Sequence, residues 1–121
     1  FQAWSDDMMQ RRFIDGVITP EMANWYSRTQ AGSDGATILA LADLLIGTDL
    51  TPQLSRITAP TLLFAPGASP FIPIEVPRKL TEALPNARLH EFPSMRHGVV
   101  FSHAEECATM ARAFLMEYGV I

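Results

Sequence analysis

Pro60-Thr61-Leu62-Leu63-Phe64-Ala65 is the stretch that decides the fold. It is a short, continuous apolar run that enters behind a proline and leaves into the turn Pro66-Gly67-Ala68-Ser69-Pro70. Such a run reads as a strand buried on both faces of a parallel sheet, because alternation is lost when both faces are covered. Residues 75–84 follow as a helix with Val76, Leu80 and Leu84 inward and Pro77 in its first turn. Pro85-Asn86 turns the chain, and residues 87–92 read as a second, more polar strand nearer a sheet edge. A loop over residues 93–101 carries His97. Ser102-His103-Ala104-Glu105 has the form of a capping box, and opens a last helix with Ala104, Cys107, Ala111, Phe114, Leu115 and Tyr118 on its buried side. Strand, helix, strand, helix is the βαβ order of a parallel α/β sheet.

Two strands do not make a stable parallel sheet alone, since parallel strands need covered faces and paired edges. The 61–65 run is too apolar for an edge, so the sequence predicts partner strands that it does not contain. The first residue, Phe1, is not Met and stands directly before a helical pattern, which fits a chain that begins inside a larger protein.

Upstream, eight of the nine prolines lie between Pro52 and Pro93, which divides the chain into helices over 1–50 and strands and helices over 51–121. Ser5 reads as the cap of a first helix, with Asp6 and Asp7 in its first turn and Met9, Phe13 and Ile14 on its apolar face; Asp15-Gly16 ends it. Thr19-Pro20-Glu21 starts a second helix with Met22, Trp25 and Tyr26 on one side. A third covers about residues 36–46, with Ile38, Leu41, Ala42 and Leu45 as its apolar face and Gly47 at its end.

With 121 residues the length allows one domain, and 48% apolar against 18% charged residues is a globular balance. A net charge of −4 argues against a nucleic-acid partner, which needs a basic face. There is no polybasic stretch for an anionic membrane, and the longest apolar segment, residues 36–46, is broken by Asp43 and too short to span a bilayer. One cysteine, Cys107, excludes an intrachain disulfide. The expected location is cytoplasmic.

Residues 54–115 resemble the carboxy-terminal part of the α/β-hydrolase fold. The resemblance rests on Leu54-Ser55-Arg56-Ile57-Thr58-Ala59-Pro60-Thr61-Leu62-Leu63-Phe64 at the penultimate strand, Pro70-Phe71-Ile72-Pro73 after it, Leu84-Pro85-Asn86-Ala87-Arg88-Leu89 entering the final strand, and Ala113-Phe114-Leu115 in the last helix. It implies that residues 1–50 are a helical cap, or lid, and that 51–121 are the end of the hydrolase core. It also implies a role for His97 as the histidine of a Ser–His–acid mechanism, the general base that takes the nucleophile's proton and returns it to the leaving group. The residue type suits that task, because an imidazole titrates near neutrality.

The chain departs from the family pattern at Ser69, which stands where the family carries its acid. A hydroxyl brings no charge to stabilise an imidazolium. Three explanations stay open: an acid on another strand outside the sequence, Asp49 or Asp43 reaching His97 from the cap side, or a degenerate, inactive copy. The nucleophile elbow Gly-x-Ser-x-Gly needs a strand before it and a helix after it. Ala31-Gly32-Ser33-Asp34-Gly35 is the nearest match, but residues 25–30 read as helix, so it is a loop between cap helices. The isolated chain is therefore expected to be inactive.

Met22, Trp25 and Tyr26 are candidates for a substrate pocket under the cap, against plain helical packing. His90, His97, His103, Glu91 and Glu105 match no zinc spacing, and no nucleotide motif is present, so neither metal nor organic cofactor is expected. Cys107 reads as a small core residue. The function predicted is the carboxy-terminal portion of a hydrolase acting on an ester, enol-lactone or related carbonyl compound. Its partners would be a small-molecule substrate and the missing amino-terminal half of the fold, or a self-associated copy. The alternative is a non-catalytic module that pairs its open strand with another chain.

Overall fold

The computed structural model describes residues 2–121; Phe1 lies outside them. Three helices come first: α1 (Gln2–Arg12), α2 (Pro20–Ala31) and α3 (Gly35–Ile46). A 3₁₀ turn over Thr51–Arg56 leads to β1 (Thr61–Pro66), α4 (Glu75–Ala83), β2 (Ala87–Phe92), a single turn α5 (Val99–Ser102) and α6 (Ala104–Glu117). The chain is α/β, with helices followed by the predicted strand–helix–strand–helix order. Among the described residues no helix is long and apolar enough to cross a membrane.

β1 and β2 pair in parallel, with Thr61 opposite Ala87 and Pro66 opposite Phe92. α4 lies against both strands, and its Arg78 forms a bidentate pair with Glu91 of β2 at 2.7 and 2.8 Å. α6 lies against β1. The core gathers Phe92, Val99 and Cys107, with Phe64, Met95 and Met110 packed around them. Burial raises the pKa of the Cys107 thiol, as suits a core residue.

Several local readings hold. The Thr19 hydroxyl accepts from the Met22 N–H at 3.2 Å, with Pro20 opening α2. Asp34 caps α3 by accepting from the Thr37 N–H at 2.8 Å, so Gly32-Ser33-Asp34-Gly35 is an interhelical link.

Others are corrected. Ser5 does not cap α1, which already starts at Gln2; its hydroxyl is fully buried and donates to the Ser27 carbonyl at 3.2 Å, joining α1 to α2. Ser102 and Glu105 form no capping box. Ser102 closes α5 and its hydroxyl meets the Val99 carbonyl and His103 Nδ1, and the cap residue His103 makes no side-chain capping bond. The turn of α5 took the serine before α6 could use it.

Burial also differs from the periodicity. β1 is only half-buried over Thr61–Phe64 and is fully buried at Ala65 alone, because β2 is its one strand neighbour among the described residues. Leu41 and Leu45 of α3, Val76 of α4, Ala104 and Leu115 of α6, and Tyr118 just past its end are exposed. An apolar stripe predicts which side a helix would bury, and burial itself requires a surface to meet it.

Candidate functional site

The two loops that leave the sheet at the carboxyl ends of β1 and β2 continue the pairing beyond the strands. Gly67 N–H donates to the Phe92 carbonyl at 2.9 Å, and Ala68 N–H donates to the Met95 carbonyl at 3.0 Å. A side chain at position 67 has no room, since a Cβ there would lie 2.6 Å from the Pro93 carbonyl oxygen. One residue further on, Ser69 Oγ lies 3.3 Å from His97 Nδ1. The crevice at the carboxyl ends of parallel strands is where α/β sheets place their ligands.

Ser69 is itself fixed. Its oxygen accepts from the Phe71 N–H at 3.3 Å and the Ile72 N–H at 3.2 Å. The Phe71 ring stands edge-on to the His97 imidazole, with centroids 5.1 Å apart. His97 borders a cleft of about 180 Å³ with Phe64, Ala65, Pro66, Ile72, Pro77, Val99 and Val100, so it is the only ionisable group in an apolar lining. Burial in that lining, and next the charge of Arg12, hold its pKa below the ordinary 6.5. A triad acid would act in the opposite direction.

The far side of the loop is latched to α1. Arg96 donates to the carbonyls of Gln10 and Phe13, and Gly98 N–H donates to the Arg12 carbonyl at 2.8 Å. These bonds satisfy carbonyls that the end of α1 leaves open. Phe13 is buried and meets Tyr26 and Phe101 at centroid distances of 5.3 and 5.7 Å, and Trp25 stacks flat on Phe101 at 5.8 Å. Arg12 lies over the rings of Tyr26 and Phe71 and donates to the Tyr26 hydroxyl at 3.2 Å.

The sequence candidates are thus partly assembled. His97 and Ser69 meet. Trp25 and Tyr26 line a separate pocket of about 310 Å³ together with Arg12 and Gln30, and Met22 lines a neighbouring hollow with Trp25. Arg12 Nε and both amide atoms of Gln30 are buried without a hydrogen-bond partner. Neither Asp49 nor Asp43 hydrogen-bonds His97 among the described residues. The Asp49 carboxylate instead accepts from the Thr51 N–H at 2.9 Å, and the Thr51 side chain first, then that N–H, lower its pKa. His90 lies against Phe64 and Phe92, and His103 against Ser102 and the same Phe92 ring, so neither shares the surroundings of His97. Arg12, Arg96 and Gly98 were not singled out from the sequence, and Phe71 entered only within the stretch Pro70-Phe71-Ile72-Pro73. The adjacency Arg96-His97-Gly98 was the one available signal, because an arginine and a glycine flanking the candidate imidazole suggest an anchored loop.

No protein-family model matches the chain. A 2-hydroxy-6-oxononadienedioate/2-hydroxy-6-oxononatrienedioate hydrolase of Paraburkholderia xenovorans (strain LB400) is 34% identical over 113 residues, which are 93% of this chain and 36% of that protein. A pimeloyl-(acyl-carrier protein) methyl ester esterase of Chromobacterium violaceum is 35% identical over 69 residues, 57% of this chain and 27% of that protein. Among solved structures, a bromoperoxidase from Bacillus anthracis superposes with a TM-score of 0.84 at 22% identity, covering 95% of this chain and 44% of its own. The chain belongs to the α/β-hydrolase family. An esterase from Exiguobacterium antarcticum shares the α/β-hydrolase fold equally closely, with a TM-score of 0.84 at 19% identity over 95% of this chain and 42% of that one. The chain therefore spans about a third of the length of the curated hydrolases it matches and less than half of either α/β-hydrolase structure.

Proposed function

We propose that this chain is the carboxy-terminal portion of an α/β hydrolase that transfers an acyl group to water, with His97 as the imidazole of the site. The observation that carries the reading is the meeting of Ser69, after β1, with His97, after β2, across the crevice where the sheet ends. In that reading residues 1–50 are the cap and residues 51–121 the end of the core. The nucleophile and the oxyanion donors come from residues outside this sequence, supplied by the rest of the fold. The imidazole receives the nucleophile's proton at Nε2 and passes it to the leaving group. No metal or organic cofactor takes part.

The substrate class is an ester, enol-lactone or related carbonyl compound. The Paraburkholderia relative is named for dioate substrates. Arg12, with an unpaired Nε beside Trp25 and Tyr26, supports a substrate that carries a carboxylate. A cytoplasmic location belongs to the same reading.

A second reading has its own support. Ser69 in the acid's place, and a low-lying imidazole pKa, favour a degenerate module that binds through its open strand and does not catalyse. A serine-directed fluorophosphonate probe separates the two. The 121-residue chain alone is expected to stay unlabelled. The same residues preceded by an amino-terminal hydrolase half are expected to be labelled, and His97→Gln is expected to abolish that labelling. Labelling of the chain alone would overturn the reading, and a full-length protein without label would favour the module.

A further inference from the structure

We infer that Ser69 is a positioning residue that holds the His97 imidazole in the Nε2–H tautomer, the reverse of the one a general base at Nε2 requires. The inference rests on the reading of His97 as the site imidazole and adds which of its nitrogens carries the proton.

The argument is an inventory of donors and acceptors. A hydroxyl has one proton and two lone pairs. The Ser69 oxygen already accepts two backbone N–H groups, from Phe71 and Ile72. Its lone pairs are used, and its proton has one direction left. His97 Nδ1 lies 3.3 Å away. The hydroxyl therefore donates and Nδ1 accepts. A neutral imidazole that accepts at Nδ1 carries its proton at Nε2. Nε2 has no protein partner among the described residues, so it is left as a donor at the edge of the cleft.

The consequence for chemistry is specific. To take a proton from a nucleophile, Nε2 must present a lone pair. In the resting site it presents an N–H. That suits a bound carbonyl or carboxylate oxygen, and a hydroxyl is activated at Nε2 only after the ring proton has moved to Nδ1. The neutral form is also the one favoured here, since burial and the Arg12 cation both oppose protonation. An aspartate at 69 would reverse the arrangement. Its carboxylate accepts only, and can take the Phe71 N–H, the Ile72 N–H and a Nδ1–H together. The two backbone donors aimed at residue 69 fit a carboxylate as well as they fit a hydroxyl, so the exchange leaves the loop intact.

Nitrogen-15 NMR of the labelled protein, at a pH above the imidazole pKa, reads the tautomer directly. The expected spectrum has a protonated, pyrrole-type Nε2 and an unprotonated, pyridine-type Nδ1. Ser69→Asp is expected to exchange the two assignments, and Ser69→Ala to move both resonances toward averaged values. A protonated Nδ1 in the unaltered protein, or an unchanged pattern in Ser69→Ala, would overturn the inference. These outcomes do not depend on hydrolysis. If the tautomer is as stated and no longer protein containing these residues hydrolyses an ester, it is the proposed function that fails and not the role of Ser69.

Discussion

Gly98 and Phe13, 85 positions apart in the chain, compete for the same space: a Cβ at 98 would lie 2.6 Å from Phe13 Cζ and closer still to Cε1. The glycine beside His97 is thus required by a buried ring at the end of α1. Gly98→Ala should push Phe13 out of its aromatic cluster and destabilise the protein by about 1–3 kcal/mol, the usual cost of overpacking. Urea denaturation measures it. Phe13→Leu on the same background should recover part of the loss, and strict additivity of the two changes would show that the ring is not the obstacle.

Arg96 ties the His97 loop to α1 through the carbonyls of Gln10 and Phe13. Arg96→Met keeps the aliphatic stem and removes those bonds, at a cost of about 1.5–3 kcal/mol for hydrogen bonds from a charged donor. The amide of Gly98, which donates to the Arg12 carbonyl, should then exchange with deuterium faster than amides of β2. Unchanged exchange at Gly98 would count against the latch.

His97 gives stability a defined pH dependence. Its folded pKa lies below the ordinary 6.5, so the unfolded chain binds the proton first as pH falls. Stability is full above 6.5, declines as pH drops through that value, and levels off once the folded form also protonates. The urea midpoint should fall over this window in the unaltered protein and fall less in His97→Gln, with the common carboxylate contribution removed by the comparison.

Core and exposed apolar positions should respond very differently. Phe92→Ala removes a ring from the cluster with Val99 and Cys107 and should cost about 3–5 kcal/mol. Leu45→Gln, at a position 76% exposed on α3, should change stability by no more than about 0.5 kcal/mol. Similar losses in calorimetry at both sites would mean that α3 is covered in solution.

The sequence by itself determined what depends on neighbours along the chain. The Thr19 cap with Pro20, the turn residues, the apolar run of β1 and the order strand–helix–strand–helix follow from local sterics and hydrogen-bonding needs, and the structure has them. The sequence reading put His97 in a loop after the second strand, and the structure has it there, 3.3 Å from Ser69 Oγ. Burial was not legible: Leu41, Leu45 and Val76 carry the correct periodicity, yet nothing among the described residues covers them. Ser5 and Ser102 have cap-forming side chains, but a hydroxyl bonds whichever partner folding brings within reach, here Ser27 and the Val99 carbonyl. Only the tertiary structure decided the direction of the Ser69–His97 hydrogen bond. That direction depends on two backbone amides that converge on one oxygen, and no spacing of residue types records where a lone pair has already been used.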